Sequence, residues 1–288
     1  MTGSPSPVQS QNHLPRPASQ APAMAHQRTN EPPHSTACYD ADDAGLAACM
    51  TRLATPLSRP QRSPRPKIST EMTTPQPQFH IRDAVSSPSN TDAHYILSAF
   101  DSCIPHLATI GSATQWGSEP FSSRPNILSR PVSAIAAAET YRTKGEGDPV
   151  RVFIIEVPGG PEQENIQLGA AIYKANWFPE YIKSQPQFRD AVKAQKKWMY
   201  LDMLVTEFSA RTEGKRKGAG AALVRRGREW AREEGFDVMY VDCWAGNEGK
   251  LVRFYESQGF KRVGAFEVEK PDTGEKWPGM FLKMDLTR

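Results

Sequence analysis

A short glycine-containing loop that leads straight into a helix sets narrow limits on the fold of this chain. The loop runs from Lys215 to Gly220 and precedes an amphipathic segment from Ala221 to Glu234. Glycine lets a backbone approach a ligand closely, and the first N–H groups of a helix have no partner within that helix. Together with the helix dipole, these groups favour an anion such as a diphosphate. The sequence therefore predicts an α/β domain with a phosphate-binding loop.

Two common nucleotide-binding loops do not fit this spacing. A P-loop requires Gly, four residues and then Gly-Lys-Ser/Thr, whereas Gly214 is followed by Gly218 and then Ala219. The dinucleotide fingerprint requires a small residue three positions after its second glycine, and this chain has Leu223 there. The spacing rules out a Walker motif and disfavours a nicotinamide-dependent enzyme.

The remaining pattern is Gln/Arg-x-x-Gly-x-Gly/Ala, with Lys215 at its first position. The next predicted strand leads into the run from Asp242 to Asn247, and the helix after it, Leu251 to Phe260, ends in Tyr-Glu-x-x-Gly-Phe. In this order of motifs, residues 78–288 resemble the GNAT superfamily of acyl-CoA N-acyltransferases. The resemblance implies an α/β (α+β) fold, in which helices flank a mixed, twisted β-sheet with a V-shaped cleft between the two central strands.

The resemblance also implies acetyl-CoA as the co-substrate and a set of residues that bind it. Backbone N–H groups of the central strand would pair with the pantetheine arm and polarise the thioester carbonyl; they belong to Met203, Leu204 and Val205. The diphosphate would lie on the loop formed by Lys215, Arg216, Lys217, Gly218, Ala219 and Gly220. Asn247 either bonds to the pantetheine or caps the following helix.

Tyr255 is the predicted general acid, which would donate a proton to the departing coenzyme A thiolate. The alternative for Tyr255 is a core aromatic on the same helical face as its apolar neighbours. A primary amine is mostly protonated at neutral pH, so a general base or a water chain is also expected. Asp202, Glu207 and Asp242 are the candidates, and a regular strand would point Asp202 and Glu207 to opposite faces.

Composition predicts two regions, a disordered Pro/Ser-rich tail over residues 1–75 and the GNAT-like domain over residues 76–288. About half of the 25 prolines precede Phe79, and a segment of this kind buries too little apolar surface to offset its ordering entropy. The net charge of +3 gives no reason to expect nucleic acid or membrane as a partner. The basic triplet Lys215 to Lys217 fits a phosphate contact better than a nuclear-import signal.

The cysteines indicate neither a metal site nor a disulfide framework. Cys38, Cys49, Cys103 and Cys243 have no spacing typical of either, so no metal is expected and a reducing compartment is the default. No apolar run approaches the length of a membrane span. These observations favour a cytoplasmic protein, with the nucleus as the alternative.

The predicted function is acyl-CoA-dependent N-acyltransfer, with acetyl passing from acetyl-CoA to a primary amine in a ternary complex. The acceptor stays open among small amines, antibiotic-like compounds, polyamines and protein amines. Aromatic residues outside the core strands are candidates for its pocket wall, although packing explains each of them better: Trp116, Trp177, Phe178, Tyr181 and Trp277. The alternative function is a non-catalytic acyl-CoA sensor or scaffold with a disordered interaction tail.

Hydrophobic periodicity places most of the remaining elements. It predicts a first strand over Phe79 to Ala84, a hairpin of Arg151 to Val157 with Gln167 to Ala175, and a central strand over Trp198 to Thr206. It also predicts helices over Asp92 to Leu107, with Asp92 as the cap, and over Ala108 to Thr114.

Overall fold

One mixed, twisted β-sheet organises the part of the chain that the computed structural model describes, which is residues 37–38, 78–160, 163–193, 197–270 and 274–286. The strands are β1 Ala37–Cys38, β2 His80–Asp83, β3 Val150–Val157, β4 Ile166–Ala175, β5 Trp198–Thr206, β6 Val238–Trp244, β7 Lys261–Glu269 and β8 Lys276–Asp285. Their order across the sheet is β2-β3-β4-β5-β6-β8-β7, and β1 pairs with β5. The β5–β6 and β1–β5 pairs are parallel and the others are antiparallel.

The helices divide into two groups that cover the sheet. They are α1 Thr91–Thr109, α2 Ser129–Lys144, α3 Glu180–Lys183, α4 Arg189–Lys193, α5 Ala219–Glu233 and α6 Lys250–Ser257. Helices α1 and α2 share one buried cluster with Ala170 and Ile172 of β4, whereas α5 and α6 share the other with Ala171 and Tyr173. Successive strand residues point to opposite faces, so the two clusters occupy the two sides of β4. The α/β fold class predicted from the sequence is confirmed.

Most predicted elements lie where the periodicity indicated, because long periodic segments specify their own buried face. The hairpin is confirmed as β3 and β4, and the predicted central strand has the bounds of β5. The prediction of a second helix over Ala108 to Thr114 is wrong. Helix α1 continues to Thr109, and Gly111 then takes a φ of 74°, in the left-handed region, which ends helical geometry before the short 3₁₀ turn Ala113–Gln115.

Asp92 does not cap α1, which corrects a second prediction. Its carboxylate accepts hydrogen bonds from the Arg82 guanidinium at 2.7 and 2.8 Å and from the Val85 backbone N–H at 2.9 Å. Arg82 also donates to Glu156 of β3 at 2.8 Å. Asp92 is buried, so its long-range partner Arg82 takes precedence over a local backbone cap. This cluster ties the start of α1 to the β2 edge of the sheet.

The predicted tail lies outside the described residues except for the backbone of β1. None of the helices in the described part of the chain is long and apolar enough to cross a membrane.

Candidate active site

The sheet opens between β5 and β6. These strands pair only over three positions, Trp198 to Tyr200 with Val238 to Tyr240. Beyond them β5 remains paired with β4 as far as Thr206, so its opposite edge faces a widening gap. This gap is the V-shaped cleft expected from the sequence.

The backbone of β1 lies along that open edge of β5. Ala37 pairs with Leu204 and Cys38 pairs with Val205. Strand β4 already uses the other edge of the same two β5 residues, through Ala171 and Ala170, and a strand has only two edges. Residues 37–38 therefore occupy the side of β5 that faces the cleft.

A β-bulge interrupts β5 where the cleft begins. Ile172 of β4 pairs with Met203 and Tyr173 pairs with Leu201, so Asp202 is the extra residue of β5. A bulge turns two successive side chains toward the same side. Accordingly, Asp202 and Met203 both line one pocket, whereas Leu201 and Leu204 belong to the core cluster on the other face. The strand region predicted to bind the thioester thus coincides with the bulge.

The predicted phosphate loop forms a tight turn at the start of α5. Gly218 has a φ of 82°, in the left-handed region, and serves as the N-cap. The N–H of Ala219 bonds to the Arg216 carbonyl at 2.9 Å, and that of Ala222 bonds to the Gly218 carbonyl at 2.9 Å. Gly220 and Ala221 lie between these two residues. Because α5 begins at Ala219, their N–H groups have no acceptor carbonyl one turn earlier in the same helix. This turn is where the sequence predicts an anion contact.

Three basic side chains precede that helix start. Lys215 and Lys217 are exposed, and the Arg216 guanidinium carbon lies 4.5 Å from the centroid of the Phe208 ring. Phe208 in turn stacks on His106 of α1, with the ring centroids 3.8 Å apart. The loop therefore combines positive charge with a helix N-terminus, and its predicted role in binding the diphosphate stays a prediction.

Glu207 holds the connection between β5 and this loop. Its carboxylate pairs with the Arg211 guanidinium at 2.6 and 2.8 Å, and its carbonyl accepts from the Thr212 hydroxyl at 2.7 Å. Glu207 is 2% exposed. These contacts hold the turn that leads into the loop Lys215 to Gly220. Glu207, a candidate base, therefore also helps to position that loop.

Tyr255 is fully buried on α6. It lies in the core cluster with Leu251 and Val252, and its ring packs edge-on against Phe254 and Phe260, with centroids 5.2 and 5.5 Å apart. This packing agrees with the alternative interpretation of Tyr255 as a core aromatic. It also agrees with a general acid that is held away from water. The role as general acid stays a prediction.

Asn247 contacts the end of α1. Its side-chain amide donates to the Ile110 carbonyl at 2.8 Å and to the Ser112 hydroxyl at 2.7 Å. Its φ of 47° is in the left-handed region that asparagine tolerates better than most residues. The side chain thus fastens the loop after β6 to the other side of the cleft, a role that no local sequence signal indicates. Its predicted contact with pantetheine stays untested.

Asp242 is the centre of a buried hydrogen-bond network on β6. The hydroxyl groups of Tyr181 and Tyr200 both donate to its Oδ1, the former at 3.1 Å. Burial raises the pKa of both phenols well above the ordinary value, and the negative charge of Asp242 raises it further. The two tyrosines therefore stay protonated and keep Asp242 occupied as an acceptor.

A pocket that opens to solvent lies between α1, α2 and the β4–β5 pair. Most of its lining is apolar, but one end holds Arg130, Lys174 and Asp202. The Lys174 ammonium lies 2.7 Å from Asp202 and 4.2 Å from the centroid of the Trp177 ring. Of the aromatics predicted for an acceptor wall, Trp116 lines the pocket, whereas Phe178 and Trp277 are buried in the core.

Sequence reasoning missed Arg130 and Lys174. They lie on different elements 44 positions apart, carry no motif and both reach Asp202 only because α2 packs against β3 on the side of the sheet that the pocket occupies.

An opened mixed sheet with a glycine-led helix beside the opening is the arrangement that the resemblance to the GNAT superfamily implied. Residues 167–260 match the model of the Acetyltransferase (GNAT) family. The matched segment contains the bulged strand, the loop Lys215 to Gly220 and Tyr255. Residues 167–260, about a third of the chain, thus carry the sequence pattern of the GNAT acetyltransferase family.

Several solved structures are similar in fold, each at low sequence identity. A putative acetyltransferase from Salmonella typhimurium, solved with acetyl-CoA, is 19% identical, with 73% of this chain and 95% of that chain covered and a TM-score of 0.44. The ribosomal-protein-alanine N-acetyltransferase from Brucella melitensis is 18% identical, with 72% and 99% covered and a TM-score of 0.42. No curated protein gives a match to the sequence.

Proposed function

We propose that this protein transfers an acetyl group from acetyl-CoA to a primary amine by direct attack in a ternary complex. The observation that carries the proposal is the bulge at Asp202 and Met203, where the open edge of β5 meets the pocket between α1 and α2. A thioester extended along β5 and an amine in the pocket would meet at this point. Proximity of this kind is a large part of catalysis between two bound substrates.

The proposed reaction requires two proton movements. The neutral amine nitrogen attacks the thioester carbonyl carbon, the new N–C bond forms, and the C–S bond breaks. Backbone N–H groups of Met203, Leu204 and Val205 would stabilise the oxyanion that forms in between. The amine loses a proton to a base, and the coenzyme A sulfur leaves as a thiol after receiving a proton from Tyr255.

Asp202 is the base that the geometry favours. It lies on the bulge and lines the pocket, whereas Glu207 is paired with Arg211 and Asp242 accepts from two tyrosines. The Lys174 ammonium beside Asp202 must move aside, or be drawn to the substrate, before Asp202 can take a proton.

Calorimetry with acetyl-CoA on the full chain tests the proposal, followed in the same sample by free-thiol release with a panel of amines. Binding together with amine-dependent release is the expected result. Binding without release for any amine would instead support the non-catalytic sensor. Absence of binding would contradict both.

Replacing Tyr255 by Phe is expected to lower kcat by roughly 100-fold, because a positioned general acid typically contributes about 100- to 10,000-fold. The change removes one oxygen and keeps the ring packing, so the KM for acetyl-CoA should stay within about twofold. The measurement is thiol release at saturating substrates. Tyr141→Phe is the matched control, since Tyr141 donates only at the surface, to Glu234 at 2.9 Å. An unchanged kcat with binding intact would remove Tyr255 from the mechanism.

Prolines at Ala37 and Cys38 are expected to tighten acetyl-CoA binding. The proposed function places pantetheine along the edge of β5 that the backbone of residues 37–38 occupies. Pantetheine and this segment must therefore compete for the same edge. Proline has no N–H to donate to a strand, and the double variant should weaken the pairing. A severalfold lower Kd by calorimetry on the full chain is the expected result. An unchanged Kd would show that β1 does not limit access to the cleft.

A further inference from the structure

We propose that the pocket between α1, α2 and β5 selects an acceptor that carries a carboxylate beside its amine and an apolar group beyond it, as a hydrophobic amino acid does. This inference rests on the proposed function and names the substrate class of the same site. It follows from the arrangement of charge and apolar surface in the pocket.

The polar end of the pocket carries two cations and one anion. Asp202 lies 2.7 Å from the Lys174 ammonium and 3.9 Å from the Arg130 guanidinium. The side chains of Arg130 and Lys174 are 31% and 23% exposed, whereas that of Asp202 is 9% exposed. The two cations are thus the more accessible groups at this end of the pocket. A ligand that brings a carboxylate is attracted to them, whereas a bare ammonium or polyamine is repelled.

A zwitterionic ligand carries one negative and one positive group, which complement the two cations and the anion at the polar end of the pocket. Its carboxylate would bind between Arg130 and Lys174, where a planar guanidinium can donate two parallel hydrogen bonds. Its ammonium would then lie against Asp202. Moving Lys174 toward the substrate carboxylate also withdraws it from Asp202, which leaves Asp202 able to accept the amine proton. The contact between Lys174 and the substrate carboxylate therefore both selects the acceptor and frees Asp202 to act as the base.

The rest of the pocket fits an apolar side chain. Phe100, Trp116 and Phe121 form a packed group of rings with centroids 4.8 to 5.1 Å apart. The Arg124 guanidinium covers the Phe121 ring at 3.9 Å and donates to the Trp116 carbonyl at 3.1 Å, so the wall is held in place. Ile96, Leu97 and Met203 complete the apolar lining. Burial of an aliphatic or aromatic group against this wall makes the free energy of binding more favourable, whereas a polar group gains little there.

The test compares acceptors that differ only in the carboxylate. Thiol release from acetyl-CoA is measured with L-phenylalanine and phenethylamine, and with L-methionine and 3-(methylthio)propylamine. A charge-assisted, bidentate contact supports an expected preference of about 10- to 100-fold in kcat/KM for each amino acid. Equal or better use of the carboxyl-free amines would overturn the inference while leaving the proposed N-acetyltransfer intact.

Arg130→Gln gives the second arm. It should reduce that preference about 10-fold or more by lowering kcat/KM for the amino acids alone. Arg142→Gln is the matched control on the same helix, where Arg142 pairs with Asp83 at 3.3 Å, far from the pocket lining. A preference that is unchanged in Arg130→Gln would also overturn the inference. If no amine supports release, the proposed function itself fails, and this inference fails with it.

Discussion

Gly218→Asp is expected to weaken acetyl-CoA binding by roughly 50-fold. Gly218 caps α5 beside the N–H groups that would hold the diphosphate, so an aspartate places a negative charge within a few ångströms of the phosphates. Two unit charges about 4 Å apart repel by about 1 kcal/mol in water and about 4 kcal/mol near a protein surface. The expected 50-fold loss corresponds to a cost of about 2.3 kcal/mol, which lies between these two values.

Gly218→Asn separates charge from shape in this experiment. Asparagine has the size of aspartate and tolerates the left-handed conformation that Gly218 adopts at a φ of 82°. Space is adequate, because an added Cβ would lie 3.6 Å from the Phe79 ring. Calorimetry should show only a severalfold loss for Gly218→Asn. Equal losses for both variants would mean that the loop does not bind the diphosphate through its charge.

Gly227→Ala is expected to lower the free energy of unfolding by about 2 to 4 kcal/mol, although alanine is the better helix former by about 1 kcal/mol. A Cβ at this position of α5 would lie 2.1 Å from Cζ of Tyr173, which is fully buried on β4. Tyr173 cannot easily move away, because its hydroxyl donates to the Leu223 carbonyl at 3.0 Å. Denaturant unfolding measures the loss.

Arg225→Ala, at an exposed position of the same helix, controls for helix propensity and should change stability by less than about 0.5 kcal/mol. A Tyr173→Leu background should make Gly227→Ala much less costly, because the clashing ring atoms are absent. Purely additive effects of the two substitutions would contradict the proposed contact. Since the loop Lys215 to Gly220 leads into α5, this packing also fixes the position of that loop.

The loop and the strand before it show what local sequence can specify. Helix α5, strand β5 and the hairpin have periodic apolar faces, and their buried sides follow from that periodicity. Gly218 takes the left-handed backbone conformation at the start of α5 that its identity allows. The Tyr-Glu-x-x-Gly-Phe segment likewise lies on a helix and its exit, which is where its resemblance to the family placed it.

Asp92 and Asn247 show where local reasoning stops. Each has the residue type of a helix cap and lies near the start of a helix, yet its side chain bonds to residues outside that helix. A local cap contributes about 1 kcal/mol, which a buried charge pair or a contact across the cleft readily exceeds. The sequence contains no signal for these partners, because they are neighbours only after the chain has folded.

The sequence by itself determined the order of strands and helices, the glycine-containing loop before α5 and the resemblance to the GNAT family, since each depends on residues close together along the chain. Tertiary structure decided which carboxylate faces the pocket, because the bulge that turns Asp202 beside Met203 arises from pairing with β4. It also decided that Arg130 and Lys174 meet at Asp202, and that β1 lies along the cleft edge of β5. Such contacts join segments far apart in sequence, and their geometry is set by the packing of the whole sheet and its helices.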